Sequence, residues 1–300
     1  MVGNGIEAFG LRDDAAALEV PAGRPLLASV DSVVEGVHVD LSLCSPGDVG
    51  WKALMGALSD LAAMGATPLA ALVALCVPGG AGDGELALGV MAGVAEASGA
   101  SGCPVVGGDV SGGACVTVAV TVLGTVEPDG PGPVPRAGAR PGDAVLVTGP
   151  CGGSAAGLRL LQGGAASPAP ESAAVLAHRR PVARLREGGL ARRAGAHALI
   201  DVSDGLALDL HRLADASGVG FALTAMPVAP GATLAEAVGG GEDYELLVVV
   251  EPGRVDALTR AFEAEGLRRP VALGVITEDP AVRTLQGEPL DRVGWQHRLG

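Results

Sequence analysis

Aspartate is the residue whose placement in this sequence points to chemistry. Asp13 and Asp14 stand together near the start, Asp31 closes the apolar run PLLASVD, and Asp109 follows VVGG. Asp201 and Asp204 follow AHALI, and Asp60 interrupts the apolar stretch ALSDLAAMG. An ionised carboxylate on an apolar face is costly unless it is paired or binds a cation. The end of an apolar run is where a loop can carry a side chain into a cleft. Hard cations such as Mg2+ take carboxylate and water oxygens and are often shared with substrate phosphates. An oxygen-only set without clustered His or Cys favours magnesium over zinc. Each position also has a plain structural explanation. Asp204 before Gly205 is as much a helix cap as a ligand, Asp109 in GGDVSGG suits a turn, and Asp60 suits a solvent-facing helix position. The apolar neighbours of Asp60 (Leu58, Leu61, Ala62 and Ala63) count against the last of these. Spacing alone does not bring the carboxylates together.

Other chemical motifs are weaker or absent. There is no G-x-x-x-x-G-K-[ST], and Lys52, the only lysine, falls in an expected helix, which excludes a P-loop NTPase. TGPCGGSAAG at 148–157 has the strand-to-helix setting of an anion site, but Ser154 breaks G-x-G-x-x-G and a structural turn is the better reading. Neither a protein-kinase signature set nor a G-x-S-x-G elbow is present. His38, His178, His197, His211 and His297 are dispersed, and only His38, seven residues after Asp31, stands out. Cys44, Cys76, Cys103, Cys115 and Cys151 are odd in number and form no C-x-x-C, which argues against a disulfide framework or zinc site.

The elements that must position these residues can be read from pattern. The 300 residues suggest two domains, and 48% hydrophobic with 18% charged composition fits a folded globular chain. Only 2% of residues are aromatic, so Ala, Val and Leu must build the core. The 48 glycines lack a collagen-like period and read as turns and close backbone approaches. A net charge of −14 disfavours nucleic acid and anionic membranes as partners. The most apolar stretch, 61–77, is shorter than the ~20 residues a membrane span needs. No secretory leader is visible, so a cytoplasmic location is expected.

Strands are predicted at 25–31, 69–77, 104–108, 114–126, 144–149, 196–201, 244–250 and 271–276. Helices are predicted from Ser45 to Gly65, at 84–99, 154–162, 206–218 and 254–266. Ser45, Pro46 and Asp48 form the start of the first helix as cap, first helical residue and acidic first turn. Alternating strands and helices give an α/β (α+β) class with two layered domains. The Pro- and Gly-rich segment 127–143 separates them, giving domains 1–135 and 136–300.

The motifs DDAA (13–16), SVDSVVEGVHV (29–39), LSDLAAMGATP (58–68), VVGGD (105–109), RAGARPGD (136–143), IDVSDGLALDL (200–210), GGEDYELL (240–247) and GWQH (294–297) occur in that order. Together they resemble the bacterial thiamine-monophosphate kinase family, within the superfamily of aminoimidazole ribonucleotide synthetase and selenophosphate synthetase. The resemblance covers nearly the whole chain. It implies transfer of the ATP γ-phosphoryl group to thiamine monophosphate, giving thiamine diphosphate, with several Mg2+ ions. It implies an N-terminal sheet that forms a barrel across a homodimer, and a C-terminal α/β domain. By motif, the metal ligands would be Asp14, Ser29, Asp31, Asp60, Asp109, Asp201 and Asp204, with Asp31 and Asp204 central to catalysis. Gly108, Asp109, Arg136 and Ser203 would contact ATP, and His38, Glu242 and Trp295 the thiamine phosphate. Arg12, Val30 and Ala92 depart from the family pattern, where Gly, Thr and an adenine-facing Tyr are usual. The alternatives are another synthetase of the superfamily or a non-catalytic nucleotide or thiamine-phosphate binder. A selenophosphate synthetase should carry a reactive Cys or selenocysteine and a Lys near its N-terminus, and neither is visible.

Overall fold

The computed structural model describes residues 20, 22–80, 82–127, 130–163 and 172–296. Asp14, Asp13, Arg12 and His297 lie outside the described residues. The chain divides into two compact units: one holds Thr67–Asp129 and the residues up to Leu61, the other Ala62–Ala66 and Gly130–Gly300.

The first unit contains β1 (Leu27–Val34), α1 (Pro46–Ala63) as far as Leu61, β2 (Thr67–Pro78), α2 (Asp83–Ser101), β3 (Val105–Gly113) and β4 (Thr117–Thr125). Its four strands lie in the order β1-β4-β2-β3. β4 runs antiparallel to β1 and β2, while β2 and β3 are parallel and joined through α2. β4 alternates strictly, with Val118, Val120 and Val122 wholly buried and Thr117, Ala119 and Thr121 half-buried. This is the pattern of a sheet with one packed face. Leu54, Leu58 and Leu61 of α1 and Val90 and Val94 of α2 are buried. On the opposite face Val30 is 66% exposed, and Leu72 is also exposed.

The start of α1 is built as its sequence predicts. The Asp48 amide donates to Ser45 Oγ at 3.2 Å, and the Ser45 amide donates to Asp48 Oδ2 at 3.0 Å. This reciprocal pair satisfies two amides that a helix N-terminus leaves without partners. Glycine then sets how closely α1 and α2 cross. A Cβ on Gly50 would lie 1.9 Å from the Val90 carbonyl, and one on Gly93 1.8 Å from that of Gly47.

Two sequence expectations need correction. Asp31 does not end a strand; it lies inside β1, paired with Val120. Asp109 is not in a turn; it lies inside β3, opposite Ala74. In both cases the ladder of the neighbouring strand carries backbone pairing beyond the point where the side-chain pattern stops being apolar.

The second unit contains β5 (Ala144–Val147), α3 (Gly153–Gln162), α4 (Ala173–Arg179), α5 (Leu185–Arg193), β6 (Ala198–Asp201), α6 (Leu206–Ser217), β7 (Gly220–Leu223), α7 (Leu234–Gly239), β8 (Leu246–Val250), α8 (Val255–Ala264), β9 (Val271–Thr277), β10 (Arg283–Leu285) and β11 (Glu288–Pro289). Its seven strands lie in the order β11-β10-β7-β9-β5-β8-β6. Every residue of β8 is buried, as expected of an inner strand covered on both faces. Leu247 and Val249 pack with Leu206, Leu210 and Leu213 of α6. Leu246, Val248 and Val250 pack with Leu190 of α5 and Leu258 and Phe262 of α8.

Candidate functional site

The first unit brings three of the sequence-predicted residues close to one another. Ser29 and Asp31 are two apart on β1 and so share a face. Ser29 Oγ donates to Asp60 Oδ2 at 2.5 Å, which identifies that face as the one toward α1. Asp60 is therefore not a solvent-facing helix residue. Asp31 Oδ1 accepts from the Ser32 amide at 2.7 Å. His38 closes a tight turn, its Nδ1 accepting from the Val34 amide at 3.1 Å. That bond leaves the proton on Nε2.

Gly108 and Asp109 are placed differently. A Cβ on Gly108 would sit 1.9 Å from the Val73 carbonyl, so backbone approach demands glycine there. Asp109 is exposed. Its row across the sheet is Ala74, Ala119 and Ser32, one step from the row of Asp31. Successive rows of a pleated sheet face opposite sides. The first unit therefore does not bring Asp109 to Asp31.

The second unit gathers Ser203, Asp204, Glu242 and Trp295 by backbone bonds just beyond Asp201, the last residue of β6. The Val202 amide donates to the Glu245 carbonyl at 2.7 Å, and the Tyr244 amide to that of Val202 at 2.9 Å. The Glu242 amide donates to the Ser203 carbonyl at 2.7 Å, and the Trp295 amide to that of Asp204 at 2.8 Å. Three segments are thus laced at the end of β6. Glycines permit the approach: a Cβ on Gly241 would lie 2.6 Å from the Ser203 carbonyl, and one on Gly294 2.7 Å from that of Asp204. Glu242 and Tyr244 adopt φ of +65° and +49°. Left-handed backbone at non-glycine residues is uncommon and concentrates at functional sites. Arg136 is exposed and not part of this lacing.

Sequence reasoning missed the residues that brace this loop. Asp209 Oδ2 accepts from the amides of Asp204 at 2.9 Å and Gly205 at 3.2 Å. Arg212 bridges Asp209 and Asp204. Burial pushes the Asp209 carboxyl up to about 6, against the pull of those amides. An acid in a helix's first turn with Arg three residues on was the available signal. In GEDYEL, Asp243 accepts from the amides of Gly152 at 2.5 Å and Ser154 at 3.2 Å. The helix start that resembles an anion site therefore holds the protein's own carboxylate. Burial pushes Asp243 up to about 6 as well. Glu245 is buried and accepts from Thr148 Oγ1 at 2.5 Å and Arg184 Nη2 at 2.7 Å.

Among the described residues no three His, Cys, Asp or Glu side chains group closely enough to hold a metal ion. The donors present are oxygen-only, and Mg2+ keeps several waters and binds through one or two carboxylates plus substrate phosphates. The donor chemistry therefore fits Mg2+. No described helix is long and apolar enough to cross a membrane.

Residues 12–126 match the AIR synthase related protein, N-terminal domain, and residues 140–285 its C-terminal domain. A thiamine-monophosphate kinase of Synechococcus elongatus is 36% identical over 95% of this chain and 90% of its own. The chain belongs to the thiamine-monophosphate kinase family. Its fold agrees with that assignment. The crystal structure of the enzyme from Stenotrophomonas maltophilia K279a superposes with a TM-score of 0.83 at 32% identity, covering 93% of this chain and 90% of that one. The structure of AaThiL complexed with AMPPCP and TMP does so at 0.82 and 31% identity, covering 95% and 91%.

Proposed function

We propose that this chain transfers the γ-phosphoryl group of ATP directly to the phosphate of thiamine monophosphate, giving thiamine diphosphate and ADP. The observation that carries this reading is the likeness to AaThiL complexed with AMPPCP and TMP, which extends over 95% of the chain. Phosphoryl transfer depends on in-line positioning and neutralised phosphate oxygens more than on covalent catalysis. The acceptor is itself an ionised phosphate, so a strong general base is not needed.

The roles follow from residue chemistry. Asp14, Ser29, Asp31, Asp60, Asp109, Asp201 and Asp204 would hold Mg2+, which when bound neutralises phosphate oxygens and orients the phosphoryl group. Asp31 and Asp204 would be the central ligands. Gly108 offers close backbone approach, Asp109 and Ser203 polar contacts, and Arg136 a guanidinium fork for phosphate. Trp295, half exposed, offers a ring face to the cationic thiazolium. Glu242 would accept from the aminopyrimidine or offset that charge, and His38 would line the same pocket. A second copy would close on the open face of the first sheet, where Val30 and Leu72 are exposed, to make a barrel across a homodimer.

Incubating the purified protein with ATP, Mg2+ and thiamine monophosphate tests the reading. The expected result is thiamine diphosphate and ADP in equal amounts, abolished by chelation of the metal. ADP release without thiamine diphosphate, or neither product, would overturn it.

A further inference from the structure

Behind Glu242 lies a buried imidazole that the proposed reaction does not use. His178 Nδ1 is 3.6 Å from Glu242 Oε2 and 3.1 Å from Ser154 Oγ. The histidine and serine are 4% and 1% exposed, whereas the Glu242 side chain is 26% exposed. A tight crossing of α3 and α4 places the ring. A Cβ on Gly157 would lie 2.1 Å from the Ala174 carbonyl and 2.9 Å from His178 Cβ, so only glycine admits α4 at this distance.

Serine, histidine and carboxylate together suggest a nucleophile relay. In such a relay the hydroxyl and the acid engage opposite ring nitrogens. Here both meet Nδ1, and the serine is buried, so Ser154 is not an activated nucleophile. Ser154 Oγ lies within hydrogen-bond distance of Nδ1, and the Glu242 carboxylate stands at ion-pair distance from the same nitrogen. The backbone is equally constrained, because Glu242 is left-handed and Asp243 beside it is tied to the start of α3. Backbone and ring together leave the carboxylate little freedom.

We propose that His178 is a positioning residue that aims the Glu242 carboxylate at the acceptor and so sets acceptor affinity through Glu242. The inference rests on the acceptor role proposed above for Glu242. A group acting this way changes binding of one substrate and leaves the phosphoryl-transfer step alone.

Steady-state titrations of thiamine monophosphate and of ATP separate the possibilities. His178→Ala and Glu242→Gln should each raise the acceptor KM about tenfold, the scale of one charge-assisted contact. For His178→Ala, KM for ATP should stay put and kcat should change by less than about twofold. The double variant should be no worse than Glu242→Gln, because the two act as one unit. His178→Asn places an amide nitrogen near the position of Nδ1 and should restore most of the loss, while His178→Leu fills the volume without a donor and should not. The Asn and Leu pair decides the matter if the alanine variant does not fold. Equal acceptor KM in Asn and Leu variants, or additive losses in the double variant, would overturn the inference. If Glu242→Gln raises the acceptor KM and His178→Leu does not, the inference alone fails. If Glu242→Gln changes nothing, the acceptor role of Glu242 fails with it.

Discussion

At the scale of single residues, some carboxylates in this chain are wholly engaged by the fold. Asp209, Asp243 and Glu245 each accept hydrogen bonds that fix a loop. Asp31 and Asp204 are proposed as metal ligands, and removing one charge from such a set removes repulsion as well as a ligand. Asp31→Asn and Asp204→Asn should each lower turnover at least about 100-fold; the melting temperature should hold or rise for Asp31→Asn, whereas Asp204→Asn also gives up its ion pair with Arg212 and should melt no higher than wild type. Normal turnover in both would remove these residues from the site. Asp243 predicts a pH effect. Its carboxyl is raised to about 6 from an ordinary 3.8. Its contribution to stability is therefore fully present below pH 3.8 and is lost as pH rises through 6. Asp243→Asn removes that loss, so urea unfolding should find the variant gaining on wild type by up to about 3 kcal/mol between pH 4 and pH 7. A constant difference would show that Asp243 ionises freely. Asp60 was legible in sequence because a carboxylate among leucines needs a reason. Asp209 and Arg212 were legible only as an i,i+3 pair at a helix start, because the amides and the Asp204 carboxylate they hold are positioned only by the loop.

At the scale of elements, legibility followed length and pattern. Long elements with a clear period, such as α1, β4 and α8, stand near their expected positions, and Ser45 caps α1 as expected while Asp48 adds a bond back to the Ser45 amide. The missed elements are short or built differently. β7 has four residues and α7 six, too few for periodicity to register. α5 reads LREGGLARR, with two glycines and three arginines in nine residues. Its fully buried Arg192 is held by carbonyls, donating from Nε to Gly65 at 3.0 Å and from Nη1 to Pro131 at 2.5 Å. No apolar pattern encodes that. Glycine reads differently at this scale, since many serve helix crossings and strand contacts rather than turns. Gly50→Ala places a methyl 1.9 Å from the Val90 carbonyl and forces α1 and α2 apart. It should cost at least about 2 kcal/mol in chemical denaturation, where an exposed helical Gly→Ala change would stabilise by about 1. A stable variant would mean that the crossing can relax.

At the scale of the whole molecule, six of the described site residues belong to the first unit (Ser29, Asp31, His38, Asp60, Gly108 and Asp109) and six to the second. Sequence pattern separated two layered halves, yet it could not assign 62–66 to the second, because Ala62 and Ala63 are the last residues of α1 and their place in the second unit's core is set only in three dimensions. The net charge of −14 adds a constraint on assembly, since like-charged chains associate only where an apolar surface outweighs repulsion. The open face of the first sheet has that character: Val30 is 66% exposed, in a row with Thr121 and Leu72. In a two-fold interface every substitution occurs twice. Val30→Asp would therefore set two unpaired carboxylates into an apolar contact and raise the negative charge of each chain. Sedimentation at micromolar concentration should find wild type at twice the 29.4 kDa of one chain and Val30→Asp at that of one chain. Val30→Thr keeps the β-branched shape and should stay dimeric. Dimers of Val30→Asp would place the interface elsewhere, and a monomeric wild type would mean that this face meets solvent.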